Sequence, residues 1–155
     1  RSCLVGSEMC IRDSDYTVLG DEVNLASRLE GQSGNYGMQI ILGEETIKKI
    51  SKNEYFQFEL DLISVKGKSE PTSIFTVFKS WTAEVAYEVF YEEHMDFLKN
   101  YRNKNWDKAK QHIDKYRLSI PEFTLYYTLF LNRIDELSKQ SLPEDWSGIF
   151  AAETK

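Results

Sequence analysis

Hydrophobic and polar positions in the first half of the chain predict a small sheet covered by helices. Strands are expected where β-branched, aromatic and aliphatic residues cluster without a helical period. A helix is expected where Val23, Ala26 and Leu29 recur three apart, with Asp21 as its N-cap and a break at residues 31–34. The predicted strands are residues 16–19, 38–42, 55–60, 62–65 and 72–78, and a second, short helix covers residues 44–50. This order of elements predicts the α+β class, with helices packed on one sheet.

From about Trp81 the hydrophobic period becomes that of helices. Residues 84–100 and 106–117 are predicted helices, and Pro121 opens a third that ends near residue 139. Residues 101–121 resemble one tetratricopeptide helical hairpin, which needs neighbours to bury its faces. We therefore expect the hairpin to pack on the sheet or on a partner chain. The aromatic run at residues 126–130 is predicted to be helix core, and the tail from residue 142 is predicted to be irregular.

The chain is thus expected to have three parts. Residues 1–14 show neither helical nor strand periodicity and resemble a translated sequencing adaptor, so we expect a non-native or disordered segment there. Residues 15–80 carry the sheet, and residues 81–155 form a helical extension with an irregular tail.

Composition and charge exclude several classes of function. The 155 residues are 41% hydrophobic, 14% aromatic and 28% charged, as in a soluble protein. A formal charge of −6 argues against a nucleic-acid partner, which needs a basic surface. No run approaches the ~20 apolar residues of a membrane span. Cys3 and Cys10 have no CxxC spacing and no nearby histidine, which argues against a zinc or disulfide framework. The absence of N-x-Ser/Thr sites and of a secretory leader fits an intracellular location. We expect His94 and His112 to lie on the polar surface of helices, where they are solvated and do not bind a metal.

Candidate chemistry lies in three polar features. Asn24 and Arg28 are four apart, so they share one helix face near its start, where a guanidinium and backbone N–H groups suit phosphate oxygens. Lys66 and Lys68 flank Gly67 in a turn that could reach phosphates. Thr17 offers a hydroxyl in a strand. Taken singly, each also fits an ordinary surface residue.

The stretches YTVLGDEVNLASRLE and VKGKSEP resemble the C-terminal half of a class III nucleotidyl cyclase catalytic domain, over residues 15–78. The helical part resembles, more loosely, the C-terminal extension of certain bacterial adenylate cyclases. This resemblance implies a partial ferredoxin-like cyclase sheet. It also implies that Thr17 binds the purine edge, Asn24 orients the ribose, Arg28 stabilises charge on the α-phosphate and Lys66 holds the terminal phosphates.

The implied reaction converts ATP to 3′,5′-cyclic AMP and pyrophosphate for intracellular signalling, with Mg²⁺ or Mn²⁺. In the family two Asp residues bind the metals, and we expect them in a missing N-terminal half. Asp15, Asp21 and Asp61 match non-metal positions, so no metal ligand is assigned within this chain. A second cyclase domain, in a homodimer, would complete the site, so the chain alone is expected to be inactive.

Two alternatives stay open. A guanylate cyclase is disfavoured by Thr17, where such enzymes tend to carry Cys. A noncatalytic regulatory or interaction module is suggested by the single helical hairpin. We expect this portion to be cytoplasmic, and since relatives often carry membrane-anchored sensors, a membrane-bound parent stays open. Residues 15–78 alone would expose unpaired strand edges and are expected to aggregate.

Overall fold

A computed structural model describes residues 21–52, 54–64, 70–83 and 85–151, with side chains from residue 25 onward. This part of the chain has the predicted α+β class. The elements in chain order are helix α1 (Asp21–Tyr36), strand β1 (Leu42–Gly43), helix α2 (Glu44–Ile47), strands β2 (Phe56–Ser64) and β3 (Thr72–Phe78), helices α3 (Tyr87–Arg102) and α4 (Trp106–Tyr116), a 3₁₀ turn (Pro121–Phe123), helix α5 (Thr124–Leu137) and strand β4 (Phe150–Ala151).

The four strands form one mixed sheet in the order β1-β3-β2-β4. Strand β3 is antiparallel to both β1 and β2, whereas β4 is parallel to β2. The pairing of β2 with β3 extends from Phe56 opposite Phe78 to Ile63 opposite Thr72. The two strands predicted at residues 55–60 and 62–65 form a single strand, because its register shifts between Glu59 and Asp61 instead of the strand ending there. Such a bulge at Leu60 turns neighbouring residues toward different partners.

Helix α1 is longer than its sequence predicts. The expected break at Gly31 and Gly34 does not occur, and the helix continues to Tyr36. Each glycine costs a helix ~1 kcal/mol relative to alanine, so local preference alone would end it. Gln32 and Tyr36 are buried, and these tertiary contacts offset the cost. The strand predicted at residues 38–42 shrinks to the two residues of β1.

The helical extension packs on the sheet, as one of the two predicted arrangements requires. Phe58 of β2 lies at its centre, with ring centroids of Phe90, His94 and Phe123 within 5.7 Å. The predicted aromatic core of α5 is confirmed, since its three large rings have no exposed surface: Tyr126, Tyr127 and Phe130. One hydrophobic core therefore includes side chains of the sheet, α1 and the extension.

The tail departs from its prediction in one place. Phe150 and Ala151 form β4 and pair with Ile63 and Ser64 at the end of β2, where the tail was predicted to be irregular. Gly148 precedes this strand with a φ of +81°, a conformation that favours glycine. Across the described ranges, no helix is both long and apolar enough to cross a membrane.

Candidate functional site

Arg28, predicted to contact the α-phosphate, lies on α1 in a half-buried position. Its helix is fixed by a stripe of buried residues at helical spacing, which begins with Leu25 and Leu29. Asn24 belongs to the same helix, one turn earlier. The Asn24 side chain, together with Thr17 and Lys66, falls outside the described residues. The grouping of these four residues into one nucleotide site therefore stays a prediction.

A cleft of about 460 Å³ lies between α1 and β1. Its walls are largely apolar and include Leu25, Leu29 and Ile41. Arg28 does not line it, although Ala26 and Glu30 on the same helix do. The cleft therefore lies on a different side of α1 from the guanidinium.

A second cleft of about 570 Å³ opens between α2, the sheet and α3. Glu59, one of four glutamates that line this cleft, accepts a hydrogen bond from Arg102 at 2.6 Å and a longer one from Ser73 at 3.4 Å. Tyr87 and Tyr91 form part of its wall. Because Arg102 neutralises Glu59, this carboxylate is already engaged in an ion pair.

One buried polar cluster joins three distant segments of the chain. Asp61 on β2 is 1% exposed, and its Oδ2 accepts hydrogen bonds from Arg133 Nη1 at 2.5 Å and from the Tyr36 hydroxyl at 2.6 Å. The Leu62 amide donates to Oδ1 at 2.8 Å. Arg133 Nη2 also donates to the Tyr36 oxygen at 3.1 Å. We call Tyr36, Asp61 and Arg133 the buried triad.

Charge and burial set the protonation of the buried triad. Burial raises the pKa of Asp61, whereas Arg133, Tyr36 and the Leu62 amide all favour its ionised form. Burial alone would lower the pKa of Arg133, but the neighbouring Asp61 and Tyr36 raise it overall. Burial, then the charge of Asp61, raises the pKa of Tyr36. Arg133 is thus a permanent cation, paired with Asp61 and stacked 3.6 Å from the Phe150 ring centroid.

No metal site forms among the side chains that the structure describes. They contain no group of three or more His, Cys, Asp or Glu residues placed to hold an ion. Three hydrogen bonds, from Arg133, Tyr36 and the Leu62 amide, already engage the two oxygens of Asp61, and the Arg133 guanidinium beside it would repel a cation. Asp15 and the Asp21 side chain lie outside the described residues.

The prediction for the two histidines is wrong. His94 is fully buried and His112 is 8% exposed. The Tyr127 hydroxyl joins them, at 3.0 Å from His94 Nδ1 and 2.9 Å from His112 Nε2. Burial lowers the pKa of His94 to about 3 and that of His112 to about 4. These imidazoles are neutral core residues.

Some of these features had a sequence signal that the prediction overlooked. His94 lies four residues after Phe90 and three before Phe97, so it belongs to the apolar face of α3. Asp61 lies between Leu60 and Leu62 in a strand, where simple alternation predicts a solvent-facing side chain, so its burial had no local signal. Its partner Arg133 is 72 residues away, and no local pattern identifies it.

Comparisons with known proteins show where this chain is related to others. No family model matches it, and no solved structure does. An adenylate cyclase of Anabaena cylindrica is 43% identical over 65 residues, which is 41% of this chain and 13% of that protein. The adenylate cyclase, terminal-differentiation specific, of Dictyostelium discoideum is 41% identical over 63 residues, which is 39% of this chain and 3% of that protein.

The fold described above defines an α+β protein whose helical extension shares its core with the sheet. Over roughly two fifths of its length, the chain is related to adenylate cyclases. It spans only a small part of the length of these curated relatives.

Proposed function

We propose that this chain is part of an adenylate cyclase that converts ATP to 3′,5′-cyclic AMP and pyrophosphate. The observation that carries this proposal is the 43% identity over 65 residues to a protein named adenylate cyclase. The stretch YTVLGDEVNLASRLE supports it, because it supplies an amide and a guanidinium one turn apart near a helix start.

In this proposal each predicted residue has one role. Thr17 hydrogen-bonds the purine edge and Asn24 orients the ribose. Arg28 stabilises charge on the α-phosphate while the 3′-oxygen attacks, and Lys66 holds the terminal phosphates. Cyclisation is an in-line displacement in which charge gathers on phosphate oxygens, so these residues contribute position and electrostatics. The half-buried position of Arg28 suits this role, since partial removal from water strengthens a charged contact.

The proposed reaction uses Mg²⁺ or Mn²⁺, but the described side chains do not fit such a metal site. We assign the ligands to a part of the parent protein beyond this chain, and we assign the complementary half of the active site to a second cyclase domain in a homodimer. The 155-residue chain by itself is then inactive.

The alternative of a noncatalytic docking module rests on the single helical hairpin at residues 101–121. Its aromatic residues Tyr101 and Tyr116 are buried in the chain's own core. That packing favours a structural role for the extension over a docking role.

The test is a turnover assay on the complete parent protein with ATP and Mn²⁺ or Mg²⁺, followed by measurement of cyclic AMP. We expect cyclic AMP from the complete protein and none from residues 1–155 alone. A parallel assay with GTP separates an adenylate from a guanylate cyclase. A complete protein that cyclises neither nucleotide, or an active 155-residue chain, contradicts the proposal.

A further inference from the structure

The second half of α1 is a weak helix by sequence. After Arg28 come Gly31, Ser33, Gly34 and Asn35, all of which favour turns or caps over helix interiors. Neither glycine is required by packing, since a Cβ atom at either position would meet nothing within 4 Å among the described residues. The helix nevertheless continues to Tyr36. Something other than local preference holds these turns.

The buried triad anchors the C-terminal end of α1. The Tyr36 ring has no exposed surface and lies 6.4 Å from the Tyr126 ring, and its hydroxyl contacts both Asp61 and Arg133. Arg133 therefore holds the C-terminal end of α1 from helix α5, 97 residues later in the chain. Because the donors of a guanidinium form a fixed fork, the Arg133 contacts allow little freedom of orientation.

The position of this anchor matters for Arg28. Tyr36 is eight positions after Arg28, so the buried triad lies about 12 Å from Arg28 along the helix axis. The two glycines lie between them, where the helix is easiest to bend or unwind. If the end at Tyr36 is released, the helix axis at Arg28 can shift, and a displacement of about 1 Å at a reacting group can lower the rate about 100-fold.

We propose that Arg133 is a positioning residue for Arg28: through the buried triad, the helical extension holds the glycine-rich half of α1 in place. This inference rests on the proposed cyclase function. In this role the helical extension affects turnover through α1, without itself contacting the nucleotide.

The experiment uses the complete parent protein. Tyr36→Phe removes only the hydroxyl and keeps the buried ring, and Arg133→Met removes the cation while retaining an apolar stem. Both variants are expected to lower kcat about 10-fold while KM for ATP changes less than about twofold. Each is then combined with Gly31→Ala and Gly34→Ala, which strengthen the same turns by another route. The alanines should restore most of the lost kcat.

Tyr127→Phe is the matched control, because it removes an equally buried hydroxyl from α5 that joins His94 and His112 and does not contact α1. We expect its kcat to equal that of the wild type. If Tyr127→Phe lowers kcat as much as Tyr36→Phe does, or if the alanines fail to restore turnover, the positioning role is wrong.

Amide hydrogen exchange separates this inference from the proposed function. Tyr36→Phe should accelerate exchange in residues 31–36 of the complete protein, and the two alanines should slow it again. If the wild type makes no cyclic AMP, the proposed function is wrong, and the exchange result alone decides whether the buried triad holds α1. Unchanged exchange in both Tyr36→Phe and Arg133→Met overturns the inference.

Discussion

The Nε2 atom of His94 lies 2.7 Å from the carbonyl oxygen of Glu59, so a histidine of the helical extension caps the part of β2 that has no neighbouring strand on that side. Two tyrosines of the extension do the same. Tyr87 donates to the Gln57 carbonyl at 3.2 Å, and Tyr126 donates to the Leu60 carbonyl at 2.6 Å. Strand β4 pairs only at Ile63 and Ser64, so these side chains satisfy β2 carbonyls that β4 does not reach. A capped edge is protected from pairing with another chain.

This contact also fixes the protons of the histidine network. A carbonyl oxygen only accepts, so His94 carries its proton on Nε2 and its Nδ1 accepts from the Tyr127 hydroxyl. That hydroxyl in turn accepts from His112 Nε2. All three hydrogen bonds of this network can form when both imidazoles are neutral.

The neutral histidines predict acid sensitivity. Folding lowers the pKa of His94 to about 3 and that of His112 to about 4, below the usual value of 6.5. The unfolded chain therefore binds protons that the folded chain does not as the pH falls below about 6.5. We expect each imidazole to lower the free energy of unfolding by up to about 1.4 kcal/mol per pH unit between pH 6 and 4.5. Urea titrations between pH 7.5 and 4.5 measure this slope.

A paired variant is the control for this slope. His94→Gln with His112→Gln keeps hydrogen-bonding capacity and removes both titrating groups. Its stability should vary less with pH over the same range than that of the wild type. Equal slopes would show that groups other than the two histidines cause the acid sensitivity.

The buried ion pair predicts strongly coupled substitutions. Arg133→Met leaves the buried Asp61 carboxyl without its main partner, and Asp61→Leu leaves the Arg133 guanidinium buried and unpaired. Each change should therefore destabilise the fold by about 3–5 kcal/mol. The double variant leaves neither charge and should cost less than either single change. A double-mutant cycle of urea unfolding measures the coupling.

The exposed pair of Lys110 and Asp135, at 2.6 Å, is the comparison for that cycle. Solvent screens it, so its coupling should be far smaller. Additive effects at Asp61 and Arg133 would contradict a direct pairing of the two charges.

Two neighbouring glycines predict opposite effects of alanine. Gly37 has a φ of +66°, and a Cβ there would lie 2.4 Å from the Leu125 Cβ, so Gly37→Ala should destabilise the fold by about 1–3 kcal/mol. Gly34 is helical and has open space around it, so Gly34→Ala should stabilise by up to about 1 kcal/mol. Thermal unfolding of the two variants gives the sign of each change. A stabilised Gly37→Ala protein would refute the close contact between the α1 end and α5.

Arg28→Ala tests the proposed role in the reaction. In the complete protein it should lower kcat about 100- to 1,000-fold while KM for ATP changes far less, because the contact strengthens as charge develops. Asn24→Ala should act in the same direction. Glu30→Ala, at an exposed position of α1, is the control and should leave both constants unchanged. An Arg28→Ala enzyme with wild-type kcat would remove this residue from the mechanism.

Removal of the extension should cause aggregation. Without residues 81–155, Phe58 and Leu60 lose the helices that cover them, and Asp61 loses Arg133. Residues 15–80 should therefore appear in the insoluble fraction, whereas residues 15–151 should elute as a folded species in size-exclusion chromatography. A monomer of residues 15–80 with a cooperative thermal transition would contradict this expectation.

Sequence pattern alone predicted most of the secondary structure. Clusters of β-branched, aromatic and aliphatic residues gave β3 and, as two separate strands, β2, and helical spacing gave α3, α4 and α5 within a few residues. The α+β class followed from the order of these elements. The relation to adenylate cyclases was also visible in the sequence, because a motif of residue types at fixed spacing can be recognised without knowledge of its contacts.

Only the tertiary structure decided the rest. Helix α1 passes through Gly31 and Gly34 because Tyr36 meets an Asp and an Arg that are 25 and 97 residues away. His94 and His112 are neutral core residues because burial lowers the pKa of each, and the Tyr127 hydroxyl of a distant helix lies between them. Local sequence encodes the preference of each segment, but burial and pairing of charge arise from contacts between segments far apart in the chain.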